Sequence, residues 1–436
     1  MIDRLLLLGA TGDLAGRFLL PALAWLTAAG RVPDDLQVVG AAAQDWDDET
    51  FRAHVAGRSA AAGELPDDAG RALLARLRYR RFDAGDPATV AAAVAALPGD
   101  GPVAAYLALP PALFPATLRA LGAAGLPPGS RIAVEKPFGA DLAGAVALDA
   151  LLAEVAGDER AVTRVDHFLG MSVVQELLGR HAAGGDLTTG WDLATGWDSR
   201  SVEEVEVVWE ETLGLEGRAD FYDRTGALRD VLQNHLLQVL VLLAMEQPAD
   251  GGEQALHAAK LDLLRSLRLA DPTDPAACTR RARYTAGTLA AGGASAAVPG
   301  YADEDGVDPA RGTETYAEVL LAVDTPRWAG TRFRLRTGKA MPASRKGVAV
   351  HPRTAGPPRW TPLEEPERGT GAAPGELAAY CRVLTDVLAG GSVTSVSGPE
   401  AEEAWRVVEP VLAAWAAGTV PLLGHPAGTA APPPLR

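Results

Sequence analysis

The chain has 436 residues, 48% of them hydrophobic and 22% charged, with a formal net charge of −16. That length exceeds what one hydrophobic core usually holds, so two domains are expected. The acidic balance speaks against nucleic acid or an anionic membrane surface as a partner, and the two separated cysteines, Cys278 and Cys381, speak against a disulfide framework or a Cys-based zinc site. No apolar run of about 18 residues marks a membrane-spanning helix. The first residues lack a signal-peptide pattern, so a cytoplasmic location is expected. No clustered His/Asp/Glu set indicates a metal.

Arg4–Leu8 is a short apolar run ending at Gly9, the pattern of a buried parallel strand. A helical pattern opens at Gly12-Asp13-Leu14 and runs through Ala29 to Gly30, with a bend expected at Pro21. Further strands are predicted at Leu36–Ala41, Tyr79–Phe82, Val103–Ala108 and Arg131–Glu135, with Ala-rich helices between them at 49–77, 88–97 and 112–123. This alternation predicts a Rossmann-type doubly wound sheet over 1–166, with a nucleotide site at the carboxyl ends of its strands.

From 167 to 436 the texture predicts a larger α+β domain on an antiparallel sheet. Strands are expected at Val202–Glu211, Thr315–Val323, Thr331–Arg336 and Val348–His351, and helices at Leu228–Met245 and Gly375–Leu388. The stretches 183–200, 291–311 and 353–375 have loop composition, and Gly424–Arg436 reads as a poorly ordered tail.

The turn Gly9-Ala10-Thr11-Gly12-Asp13-Leu14-Ala15 follows the first strand. Its glycines allow a tight turn and close approach of backbone N–H groups to a pyrophosphate, and the helix N-terminus adds its positive dipole end. It is not a full G-x-G-x-x-G fingerprint, and on spacing alone a plain strand–helix turn is the alternative. After the second strand come Ala43, Gln44 and Asp45. Asp45 is placed to accept from a ribose hydroxyl, or else it begins the next helix with Asp47 and Asp48, where carboxylates suit the dipole. In Leu228–Met245, the residues Leu228, Val231, Leu232, His235 and Val239 share one face at helical spacing, so His235 is expected to point inward.

Asp166-His167-Phe168-Leu169-Gly170-Met171 resembles the Asp-His-Tyr-Leu-Gly-Lys signature of glucose-6-phosphate dehydrogenases. The cofactor turn resembles that family's Gly-Ala-Ser-Gly-Asp-Leu-Ala loop. Tyr106-Leu107-Ala108-Leu109-Pro110-Pro111, Val134-Glu135-Lys136-Pro137-Phe138-Gly139 and the string from Arg229 to Gln238 also match family segments. The likeness covers most of the chain and fades in 183–200, in 246–300 and after about 416.

The resemblance implies a homodimeric enzyme that oxidises the anomeric carbon of a sugar and passes hydride to NAD or NADP. It implies His235 as general base, Asp166 as its carboxylate partner, and Lys136 between nicotinamide and sugar with Pro137 in a cis bond. It implies Gly9, Thr11, Gly12, Asp13, Leu14, Ala43, Gln44, Asp45, Leu109, Pro110 and Lys136 along the dinucleotide. His167 and Met171 match phosphate-side positions; Glu211, Asp230, Lys339 and Arg345 match sugar-contacting ones, with one extra residue before Arg345. Ala43 stands where NADP-using members carry an Arg, which leans the cofactor toward NAD. Phe168 and Met171 replace a hydroxyl and an ammonium, and each lost charge-assisted bond costs about 1.5–3 kcal/mol. The expectation is therefore a non-phosphorylated or C6-modified sugar, with glucose 6-phosphate bound in a rearranged pocket as the alternative and a non-catalytic paralogue as a third reading.

Overall fold

A computed structural model describes residues 1–435 apart from 63–66, 184–196, 216, 292–293, 364–372 and 374. The chain divides into two compact units, Met1–Gln175 with Glu365–Ala401, and Glu176–Glu364 with Glu402–Arg436.

In the first unit six parallel strands, β1 (Arg4–Leu8), β2 (Gln37–Ala42), β3 (Arg78–Arg81), β4 (Ala104–Leu107), β5 (Arg131–Glu135) and β6 (Val162–Val165), form one sheet in the order β3-β2-β1-β4-β5-β6. Strand order reverses between β1 and β4, the place where a doubly wound sheet opens its ligand crevice. All residues of β1 and β4 are buried, because helices cover both faces. The first helix starts with a π-helical stretch, Ala15–Leu19, and becomes regular over Leu20–Ala28. The irregularity sits just before Pro21, whose missing N–H cannot close the preceding turn. Gly30, at φ +62°, ends it as expected.

The single break expected at 166 needs correction. The helix Glu376–Ala389 lies in the first unit, with Tyr380, Cys381, Val383, Leu384, Val387 and Leu388 in the core beside β1 and the first helix. The short strand Ser395–Val396 then pairs antiparallel with β6. Burial of that helix's apolar face drives the return, which no local periodicity announces.

The second unit has a mixed sheet with strands in the order 359–362, 345–352, 202–210, 332–338, 316–323, 279–285 and 422–426 among the described residues. Most pairs are antiparallel, but Val202–Glu210 runs parallel to Arg332–Gly338, and Leu422–Pro426 runs parallel to Thr279–Thr285. Three expectations fail here. Ala294–Val298 and Arg359–Pro362 are strands rather than loop. The tail is also ordered: Leu435 is 7% exposed, donates its N–H to Glu318 Oε1 and accepts from Arg334 through its carbonyl. Of the expected loop 183–200, residues 184–196 lie outside the described residues. No described helix is long and apolar enough to cross a membrane.

Candidate active site

In the first unit the turn after β1 has the shape a pyrophosphate needs. Gly9 takes φ +87°, and a Cβ there would lie 2.1 Å from the Ala108 carbonyl oxygen at the end of β4. Only glycine fits that approach. A Cβ on Gly12 would meet nothing but the Gly9 carbonyl at 3.1 Å, which leaves its backbone open to a ligand. The residues present therefore fit a dinucleotide at the switch point. Thr11 Oγ1 donates to Gln44 Oε1 at 2.9 Å, tying the two expected cofactor turns together. Ala43, Gln44 and Asp45 are exposed, as is Pro110, while Leu109 and Lys136 are half-buried. Asp13 pairs with Arg17 at 3.2 Å and Arg58 at 2.5 Å, and Leu14 packs against the core. The Lys136–Pro137 bond is cis.

The signature hexapeptide leaves β6 as one tight turn. Asp166 is fully buried, and its Oδ1 accepts from the Phe168 N–H at 2.9 Å, capping the 3₁₀ turn His167–Gly170. The returning helix Glu376–Ala389 holds this turn in place. The His167 ring stacks on Tyr380 at 5.2 Å and 14°, and Arg382 donates to the Gly170 carbonyl at 2.5 Å. A Cβ on Gly170 would lie 2.7 Å from the Ala379 carbonyl oxygen. Tyr380 and Arg382 position the signature, and nothing local in the sequence singles them out. Phe168 and Met171 are 4% and 3% exposed. Both are buried and carry neither a hydroxyl nor an ammonium.

Beside the signature lies a buried acid that sequence reasoning treated only as a flank of Lys136. Glu135 Oε1 accepts from the Tyr106 hydroxyl at 2.5 Å, and both are buried. Burial pushes Glu135 up to about 7; Tyr106 and Lys136 oppose this shift and the Asp166 charge adds to it. Because the folded pKa is raised, the stabilising contribution of Glu135 is full below its ordinary value near 4.5 and is lost as pH rises through about 7. Glu135→Gln keeps an acceptor for Tyr106 and cannot ionise. The stability of the parent minus that of Glu135→Gln is therefore expected to fall by about 3 kcal/mol between pH 4.5 and 8. Denaturant unfolding at several pH values measures it; a pH-independent difference would refute it.

In the second unit the strand Val202–Glu210 delivers Glu211 to a charged cluster. Lys339 Nζ donates to Glu211 Oε2 at 2.9 Å and lies 5.4 Å from the Tyr222 ring centre, and Lys346 Nζ is 3.7 Å from Glu211 Oε1. Burial raises Glu211, but Lys339 and Lys346 together outweigh it and hold the carboxyl below its usual range, with Asp230 close enough to oppose them. Glu211 and Lys339 thus meet directly, and the charge of Asp230 acts on the same carboxyl. Arg345 does not join them: it pairs with Glu210 at 3.8 Å and lies over Trp360. Alternation along Arg345–Pro352 turns consecutive residues to opposite faces, and the extra residue before Arg345 puts Lys346 at the cluster instead.

His235 is 3% exposed in the π-helical stretch Leu228–Leu236, which continues as the regular helix Leu237–Ala244. The one-faced pattern read at 3.6 spacing gives way to a helix buried nearly all round, since a π turn moves each residue off the regular face. The helix start is fixed by Glu314, whose carboxylate accepts from the Leu228 N–H at 2.9 Å beneath Gly226 at φ +71°. Glu314 is a further positioning residue that the sequence did not reveal.

Comparison with known proteins agrees with both halves. Residues 6–176 match the glucose-6-phosphate dehydrogenase NAD binding domain, and residues 193–361 match the C-terminal domain of the same family. The chain is 34% identical to glucose-6-phosphate 1-dehydrogenase of Gluconobacter oxydans over 97% of its own length and 93% of that protein's. Its fold is similar to the crystal structure of the Mycobacterium avium enzyme of that name, with a TM-score of 0.80, 29% identity, and coverage of 99% of this chain and 95% of the other. A glucose-6-phosphate dehydrogenase in complex with its substrate glucose-6-phosphate gives a TM-score of 0.82 at 25% identity, covering 99% of this chain and 96% of that one.

Proposed function

Because the chain belongs to the glucose-6-phosphate dehydrogenase family, we propose that it oxidises C1 of glucose 6-phosphate to the 1,5-lactone with a nicotinamide dinucleotide. The curated relatives favour this over the free or C6-modified sugar read from Phe168 and Met171. When bound, NAD or NADP takes the hydride from C1. His235 accepts the proton of the C1 hydroxyl, and Asp166 is its proposed carboxylate partner, favouring the imidazolium that forms. Lys136 donates to a sugar oxygen. Asp230 and Glu211 accept from sugar hydroxyls, and His167 serves the phosphate end. Assembly as a homodimer belongs to the same proposal and is read by light scattering.

The observation that carries this reading is the cluster of Lys339 and Lys346 on Glu211, with Asp230 beside it. It supplies cations near sugar-hydroxyl acceptors without calling on residue 171. Steady-state kinetics with glucose 6-phosphate and with glucose, each with NAD and with NADP, test it. A charge-assisted contact from His167 to the phosphate predicts kcat/KM higher for the phosphorylated sugar by about ten- to a hundredfold. Equal or better turnover of glucose would overturn the proposal.

A further inference from the structure

The missing Arg at position 43 leaves a specific question: what meets the adenosine 2′-phosphate if NADP is used? The structure offers a cation from the neighbouring strand. β3 runs parallel to β2 with Arg81 in register beside Ala42, so Arg81 ends its strand one residue from Ala43. An open cavity of about 530 Å³ lies there, where Arg52, Arg80 and Arg81 meet the carboxylates of Asp45, Asp47, Asp48 and Glu49 beside Trp46 and Tyr79.

The other cations of this cavity are already engaged. Arg80 pairs with Asp48 at 3.5 Å and Arg52 with the same carboxylate at 3.9 Å. Arg81 is exposed and, among the described residues, has no ion-pair partner. The cavity wall beneath it is rigid: the Tyr79 hydroxyl donates to the carbonyls of Ala42 at 2.9 Å and Gln44 at 2.8 Å, locking the end of β2 to β3. Asp45 and Arg81 both line the cavity, so a carboxylate and a guanidinium share one opening. In doubly wound folds an acid at the end of the second strand accepts from the ribose 2′-hydroxyl of NAD, and a nearby Arg receives the 2′-phosphate of NADP.

We propose that Arg81 receives the adenosine 2′-phosphate and Asp45 the 2′-hydroxyl, so that the chain binds both NADP and NAD. This rests on the dehydrogenase reading above and replaces the lean toward NAD. A guanidinium supplies the paired donors a phosphate needs, and Arg81 reaches the site from one strand further out than position 43.

The test is equilibrium binding of NADP+ and of NAD+ alone, followed by tryptophan fluorescence, since Trp46 lies in the cavity. Arg81→Ala is expected to weaken NADP+ by about ten- to a hundredfold and to change NAD+ by less than about twofold. Asp45→Ala is expected to weaken NAD+ and to leave or improve NADP+, because it removes a carboxylate from beside the phosphate. Arg80→Ala removes the same charge from an arginine held by Asp48 and is expected to move NADP+ by less than about threefold. An unchanged NADP+ affinity in Arg81→Ala overturns the proposal. So does an equal loss for both dinucleotides, or an equal effect of Arg80→Ala. If the parent chain binds neither dinucleotide, the dehydrogenase reading itself fails, which is a distinct result.

Discussion

Replacing His235 with alanine is expected to lower kcat on glucose 6-phosphate by about 10²–10⁴-fold, the usual contribution of a positioned general base. His235 is 3% exposed and sits in a helix whose start is held by Glu314, so its ring has little freedom to be replaced by a neighbour or by bulk water. Dinucleotide affinity is expected to stay within about twofold, because the residues assigned to the dinucleotide lie in the other unit. Asp166 calls for a subtler change. Its Oδ1 also caps the signature turn through the Phe168 N–H, so Asp166→Ala would disturb the fold of the turn as well as any chemistry. Asp166→Asn keeps a carbonyl oxygen for that cap and removes only the charge. It is expected to lower kcat while the melting temperature and dinucleotide binding remain near those of the parent. Steady-state kinetics with fluorescence titrations separate these effects, and retention of more than a tenth of kcat in His235→Ala would remove His235 from the mechanism.

The first unit was legible because buried parallel strands are continuous apolar runs, and Arg4–Leu8, Gln37–Ala42 and Arg131–Glu135 follow that rule closely. The return of Glu376–Ala389 was not legible as such: its helical pattern is visible, but which core receives it is a long-range choice. In the second unit Leu267–Leu269 and Gly287–Ala291 are too short, or too rich in Ala and Thr, to stand out from loop composition. The dinucleotide turn and the signature were readable from residue identity, whereas Glu135, Tyr380 and Arg382 matter through partners far away in sequence. The assignment of Arg345 failed for a related reason. Position along a strand decides which face a side chain takes, and one inserted residue exchanges Arg345 for Lys346.

Arg334→Ala is expected to destabilise the chain by about 3–5 kcal/mol, the cost of leaving the buried Glu318 carboxylate without its counter-ion, while Glu204 keeps Arg332 at 3.1 Å. Arg334 Nε lies 2.8 Å from Glu204 Oε1, its Nη2 donates to Glu204 Oε2 at 3.2 Å, and its Nη1 pairs with Glu318. Glu318 is fully buried and Glu204 nearly so, and neither can be rehydrated without opening the sheet. Burial alone lowers the affinity of the guanidinium for its proton, but Glu204 and Glu318 more than reverse this and hold it above its ordinary range. The same group accounts for the ordered tail. Arg334 Nη1 donates to the Leu435 carbonyl at 3.1 Å, while the Leu435 N–H donates to Glu318 at 3.1 Å, so the final residues close over the ion pair. Arg334→Ala should therefore loosen the C-terminus before the sheet unfolds, visible as faster proteolysis at the tail under native conditions. The double variant Arg334→Met with Glu318→Leu removes both charges of the deepest pair and is expected to recover more than half of the lost stability in denaturant unfolding. If the double variant is no more stable than Arg334→Ala, the loss comes from packing rather than from a stranded charge.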